Sequence, residues 1–226
     1  MKLFDYDNPE SFAYRLRRRR SHHLREMIER MASSRDGTCR ILDVGGEDRY
    51  WLNIFGADWL RRNRVEIVLL NHTDEYVGRS PDPLIFSIVI GDGCALPYGD
   101  GAFDLAHANS VIEHVGERYR QRKFSEEIRR VARRYYVQTP ARCFPIEAHT
   151  RFPWFQYLPA AARIWLFQHV SLASYPKVDA ARARAFHEEL RLLSHRQFAL
   201  LFPEAMIWRE RLFGLTKSYM AVSRPS

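Results

Sequence analysis

The sequence predicts an α/β fold built on a doubly wound parallel sheet, and three observations carry that expectation. Short apolar runs alternate with helix-patterned segments at close spacing. The first run, Arg40-Ile41-Leu42-Asp43-Val44, ends in Gly45-Gly46 and leads into a helix near Arg49, as a buried strand, tight turn and helix would. With 226 residues and a 46% hydrophobic fraction, the chain can bury one full core with an elaboration.

The turn after the first strand suggests a ligand. Glycine there lets backbone approach a nucleotide-like cofactor, and the next helix offers unpaired N–H groups; the same Gly-Gly is also an ordinary turn. A diphosphate-binding turn is a G-x-G-x-x-G free of negative charge, whereas Glu47 and Asp48 follow the glycines here. Carboxylates attract the ammonium and sulfonium of S-adenosylmethionine, which favours that cofactor over NAD or FAD. They also complement a helix dipole in any fold.

Before the turn, Phe12, Leu16, Leu24, Met27, Ile28 and Met31 fall at helical spacing, so residues 10 to 32 read as one amphipathic helix. Arg15 and Arg17 to Arg20 crowd its polar side and hold much of the +8 net charge. A solvated packed helix explains them; peripheral contact with an anionic membrane surface, or RNA, is the functional alternative. No RNA-binding signature with interleaved aromatics accompanies them, and no sequence-specific nucleic-acid binding is expected.

After the turn, residues 50 to 63 read as a helix and Glu66 to Leu70 as a second strand, ending at Asn71-His72. Asn71 occupies the strand end where nucleoside-binding α/β units contact ribose, and its carbonyl oxygen can accept a hydroxyl. A third strand, Ile85 to Ile90, leads to Asp92-Gly93-Cys94. A Pro- and Gly-rich link precedes a fourth, Phe103 to Ala108, which ends at Asn109. A charged helix from Glu117 to Ala132 and a fifth strand, Tyr135 to Gln138, follow.

Residues 92 to 115, D-G-C-A-L-P-Y-G-D-G-A-F-D-L-A-H-A-N-S-V-I-E-H-V, closely resemble class I S-adenosylmethionine-dependent methyltransferases of the type 11-like family. The resemblance covers roughly residues 38 to 223. It implies a Rossmann-like seven-stranded sheet of order 3-2-1-4-5-7-6, the last strand antiparallel. It assigns Asp43, Gly45, Gly46 and Glu47 to the methionine end of the cofactor, and Asn71 and His72 to the ribose. Asp92, Gly93 and Cys94 fall to the adenine, with Asn109 also at the cofactor. The family's D-x-G-x-G-x-G would put glycines at 47 and 49, where this chain has Glu47 and Arg49. That departure keeps a non-catalytic scaffold as the alternative to an enzyme. An RNA or protein methyltransferase is the third reading, disfavoured because strand four ends Asn109-Ser110-Val111-Ile112 and lacks an N-P-P-Y-type tetrapeptide.

Residues 140 to 193 form the expected insertion after strand five. Pro140 to Pro159 is dense in proline and aromatics, as a substrate lid over the strand ends is; covering a sheet edge or a homodimer contact is its other use. Helices are expected at 160 to 173 and 177 to 193. Ser194-His195-Arg196-Gln197 is a capping box, and Met206 to Phe213 with Ser218 to Ser223 form a terminal hairpin. Trp154, Tyr157 and Arg151 are the expected acceptor contacts. His114, Glu113 and His149 are the candidate catalytic groups, because an oxygen or nitrogen acceptor needs a base near operating pH. His107, inside strand four, reads as a satisfied core residue.

Two domains result: a basic N-terminal helix at 1 to 36 and the methyltransferase domain at 37 to 226. The expected reaction is methyl transfer to a small-molecule or lipid-like acceptor, at oxygen in preference to carbon or nitrogen. Three scattered cysteines (Cys39, Cys94, Cys143) without a C-x-x-C indicate a reducing compartment and no metal site. With no signal peptide and no long apolar run, a cytoplasmic location is expected, peripheral at the inner membrane surface if the basic helix binds lipid.

Overall fold

The computed structural model describes residues 8–33, 37–73 and 82–224. The expected boundary between residues 36 and 37 falls partly outside them. Seven strands form one sheet of order β3-β2-β1-β4-β5-β7-β6, as the resemblance implied. They are β1 (Cys39–Val44), β2 (Val65–Asn71), β3 (Phe86–Ile90), β4 (Phe103–Asn109), β5 (Ala132–Pro140), β6 (Ala205–Leu212) and β7 (Leu215–Ser223). β1 pairs in parallel with β2 and β4, β2 with β3, and β6 runs antiparallel to β7. The chain divides into two compact units: residues 1–109 with 127–136, and residues 110–126 with 137–226.

In the first unit, Ile41, Leu42, Leu69, Leu105 and Trp51 are all essentially without exposure, and Ile41 and Leu42, adjacent in β1, show that both faces of the strand are covered. The N-terminal segment is two helices, not one: α1 (Phe12–Arg20) and α2 (His22–Ser33). Ser21 breaks them. Its hydroxyl donates back to the Arg17 carbonyl at 2.9 Å and also meets Tyr50 Oη at 2.9 Å, a local bond that competes with helix continuation. Leu24 and Ile28, one turn apart, are fully buried and anchor α2, each contributing about 1.5–3 kcal/mol by removal from water. The helix expected over 50 to 63 is likewise two, α3 (Asp48–Ile54) and α4 (Ala57–Arg62), parted where Gly56 takes φ 80°. β5 is longer than read because Arg133 and Arg134 masked its start. α5 (Arg118–Val131) matches its expected span closely.

In the second unit, α6 (Ala160–His169) and α7 (Ala180–Glu189) are shorter than expected. α6 stops where Val170 turns extended, and Asp179 caps α7 by accepting the Arg182 N–H at 2.8 Å. Phe155, Phe167, Tyr175 and Phe186 form a small core between them. α8 (His195–Leu201) opens on the expected capping box of Ser194 and Gln197. The β6–β7 turn is tighter than read: Phe213 and Gly214 both adopt positive φ, 50° and 78°, which suits a two-residue hairpin.

Candidate functional site

The residues assigned to the cofactor all lie in the first unit. Asp43 ends fully buried, accepting Trp51 Nε1–H at 2.6 Å on one oxygen and meeting His107 Nδ1 at 2.6 Å on the other. His107 is the core residue expected, stacked between Tyr50 and Tyr136, but it is satisfied on Nδ1 alone, since its buried Nε2 has no hydrogen-bond partner. Gly45 is exposed at φ 70°, and its N–H donates to the Leu70 carbonyl at 2.8 Å. A Cβ on Gly46 would overlap the Asp43 carboxylate, so position 46 is confined to glycine by its own fold. Asn71 Nδ2 donates to the Gly46 carbonyl at 2.8 Å and ties the β2 end to the turn. Glu47 and His72 are exposed.

Asp92 is half-buried beyond β3 and accepts the Cys94 N–H on Oδ1 at 2.9 Å, which orients the carboxylate; Gly93 is buried. At the β4 end, Asn109 Oδ1 accepts from Arg20 at 2.8 Å. Sequence reading missed Arg20, which looked like one more solvated cation; nothing local marks a partner 89 residues away. This donor set fits S-adenosylmethionine. It combines an open glycine turn, a carboxamide at the ribose strand end and an oriented carboxylate at the adenine position.

The candidate catalytic groups lie together in the second unit. Ligand atoms of Glu113, His114 and His149 all fall within 4.8 Å of one another. His114 Nε2 faces His149 Nε2 at 3.0 Å, and Glu113 Oε1 stands 3.7 Å from His149 Nε2. Thr139 Oγ1 donates to the other Glu113 oxygen at 2.9 Å. Glu147 holds His149 through Nδ1 at 2.8 Å and accepts its backbone N–H, while Glu189 lies 3.4 Å from His114 Nδ1. Burial alone lowers the His149 pKa, but the Glu147 hydrogen bond and the surrounding carboxylates raise it overall. Burial likewise pushes Glu147 up, and its bonds to His149 bring it down on balance. Glu147, two residues before His149, orients that imidazole where an acceptor contact was expected of it, and Glu189 was not expected beside His114 because nothing in the sequence announces so distant a contact.

The second unit also holds a cavity of about 460 Å³. Arg142, Arg163 and Arg191 meet Phe155, Phe167 and Phe186 on its wall, with His187 beside them. Burial, followed by Arg191 and Arg142, lowers the Arg163 pKa, and its Nε has no hydrogen-bond partner. Trp154, Tyr157 and Arg151 do not line this cavity. Trp154 and Tyr157 are about half exposed, and Arg142 stacks over the Tyr157 ring at 5.6 Å.

The sheet order and strand-end residues define a class I methyltransferase fold. Residues 55–135 match the family described as a methyltransferase domain. Residues 55–135 therefore carry a methyltransferase domain's sequence pattern, and the fold is the one S-adenosylmethionine-dependent methyltransferases use. No curated protein matches it in sequence. A Methanosarcina mazei S-adenosylmethionine-dependent methyltransferase aligns at TM-score 0.50 and 12% identity, over 85% of this chain and 94% of that one. An Aquifex aeolicus S-adenosylmethionine-dependent methyltransferase aligns at 0.48 and 12%, over 86% and 87%. Haemonchus contortus phospholethanolamine N-methyltransferase 2, in complex with phosphomonomethylethanolamine and S-adenosylhomocysteine, aligns at 0.49 and 10%, over 77% and 36%. No helix among the described residues is long and apolar enough to cross a membrane.

Proposed function

We propose that the protein methylates an oxygen of a small anionic acceptor. The arginine-walled cavity carries this reading. Three guanidiniums on an aromatic wall suit a molecule with an acidic group and an apolar body, and the volume falls in the range of small-molecule sites. A lipid-like acceptor would need a longer apolar channel than these three phenylalanines line.

S-adenosylmethionine supplies an already electrophilic methyl group when bound. Asp92 would hold its adenine amino group, the Asn71 side-chain oxygen its ribose, and Arg20 with Asn109 its methionine end. The Glu113, His114 and His149 cluster, in which Glu147 orients one imidazole, would be the base for the acceptor hydroxyl. Because the bound cofactor would already be a strong methyl donor, positioning of the acceptor oxygen would supply most of the acceleration.

Methyl-deuterated cofactor incubated with panels of small carboxylates, phosphates and their neutral analogues tests the reading by mass spectrometry. Label should enter anionic hydroxyl compounds, and Arg163→Gln should raise their KM by about tenfold or more with kcat little changed, as loss of a charge-assisted contact does. Label entering neutral acceptors equally well, with Arg163→Gln silent, would remove the anionic assignment. Cofactor binding with no transfer to any panel member would favour the scaffold alternative.

A further inference from the structure

We propose that Glu113, His114 and His149 bind one divalent transition-metal ion. The argument begins with where the protons lie. His149 Nδ1 is 2.8 Å from a Glu147 oxygen, so the N–H sits on that side and Nε2 presents a lone pair. His114 Nδ1 stands 3.4 Å from a Glu189 oxygen but makes no hydrogen bond there, so Glu189 does not fix which His114 nitrogen carries the proton. The two Nε2 atoms face each other at 3.0 Å, and at most one proton fits between them. The third inward atom, Glu113 Oε1, belongs to a side chain with no exposure and has no hydrogen-bond partner.

A lone proton does not resolve this arrangement. Whichever ring donates between the two Nε2 atoms, Glu113 Oε1 remains 3.7 Å from His149 Nε2 and unsatisfied. A buried acceptor left unpaired is costly, and a buried carboxylate more so. A cation among the three atoms satisfies all of them together. Two imidazole nitrogens on one ion, with metal–nitrogen bonds of about 2.0–2.1 Å, stand about 3 Å apart or slightly more. Glu147 and Glu189 behind the rings then act as the outer carboxylates that orient metal-bound histidines.

Two imidazoles and a carboxylate suit zinc, iron, cobalt or manganese over magnesium, which favours an all-oxygen shell. Three protein ligands leave coordination positions for oxygen donors, as in catalytic zinc sites. With an ion there, the three side chains would act on the acceptor hydroxyl through the metal, which lowers the pKa of a coordinated hydroxyl, in place of taking the proton themselves. That role rests on the oxygen-acceptor reading above; metal binding itself does not. The cysteine count gave no sign of the site because no ligand is a thiolate.

Chelator-treated full-length protein titrated calorimetrically with Zn²⁺ and Mg²⁺ tests the site. One Zn²⁺ per chain is expected, with Mg²⁺ at least a hundredfold weaker. Glu113→Gln and His149→Gln should each weaken Zn²⁺ at least tenfold, and Glu147→Gln about 10–100-fold. The surface pair variant His22→Gln/His23→Gln should leave it unchanged. Cobalt added to the unmutated protein guards against variants that fail to fold: it should give intense visible bands of low-coordinate nitrogen ligation. No stoichiometric Zn²⁺ binding, binding indifferent to Glu113→Gln and His149→Gln, or an aqueous-type cobalt spectrum would overturn the proposal. Zinc bound as expected with no methylation of anionic acceptors leaves the site standing and removes only the acceptor assignment.

Discussion

His107 Nδ1 stands 2.6 Å from Asp43 Oδ1, with both side chains 1% exposed. Trp51 Nε1 occupies the other carboxylate oxygen, so Asp43 joins β1, β4 and α3 inside the first unit. The carboxylate shapes the glycine turn from beneath. Asp43→Ala should therefore cost stability first, about 3 kcal/mol or more, because it strands a buried imidazole and an indole N–H. Urea unfolding measures this, and a loss under about 1 kcal/mol would show that the network is expendable.

Gly45 and Gly46 should respond differently to alanine. Gly45→Ala meets a positive φ of 70°, a strain of about 1–2 kcal/mol at an exposed position. Gly46→Ala drives a methyl into a carboxylate fixed by two partners, so the whole turn must shift. Calorimetry should show cofactor affinity lowered modestly by the first and abolished by the second. Equal, small effects would mean that the turn accommodates a side chain.

The sheet was legible because each strand's apolar run and terminal turn are local signals, and the D-G-C-A-L-P to E-H-V stretch fixed the order by resemblance. Helix breaks at Ser21 and Gly56 were not, since a residue's side-chain bond to its own turn does not disturb hydrophobic spacing. In the site, Glu113, His114 and His149 were readable as chemistry-bearing residues but not as one cluster. Their approach depends on the loop that carries Glu147. The acceptor segment was the least legible. Trp154 and Phe155 are adjacent, yet Trp154 is 54% exposed and Phe155 2%.

That adjacency predicts opposite outcomes. Phe155→Ala empties a position packed against Phe167 at 5.3 Å between ring centres and should cost about 3–5 kcal/mol. Trp154→Ala should change the melting temperature by little and leave KM for an acceptor in the arginine-walled cavity nearly unchanged. A large KM effect from Trp154→Ala would return it to the acceptor site expected from sequence.

The basic helix divides in the same way. Arg15, Arg18 and Arg19 are exposed, whereas Arg17 lies over Tyr50 at 5.6 Å and Arg20 reaches Asn109. Replacing the exposed three with glutamine should remove any binding to anionic vesicles at low salt and leave cofactor affinity alone. Arg20→Gln should weaken the cofactor instead. Vesicle binding indifferent to the triple change would leave the helix a purely packed element.

The cavity predicts a pH dependence through His187. Burial, then Arg163 and Arg191, hold its pKa below the ordinary 6.5, against a smaller upward pull from Glu188. Arg142, Arg118 and Glu117 also line the wall. The depressed histidine makes protonation favour the unfolded chain, so its contribution to stability declines as pH falls through 6.5 and below. A bound anion reverses the sign by raising the folded pKa. Anion binding should then take up a proton, and affinity should rise between about pH 7.5 and 5.5, by at most about tenfold per pH unit. Inorganic sulfate is the suitable probe, because its charge is constant over this range. Titration calorimetry should show the rise in the unaltered protein and a flat profile in His187→Gln. A flat profile in both, or the same slope in both, would separate His187 from the anion and leave the arginines as the cavity's only recognition groups.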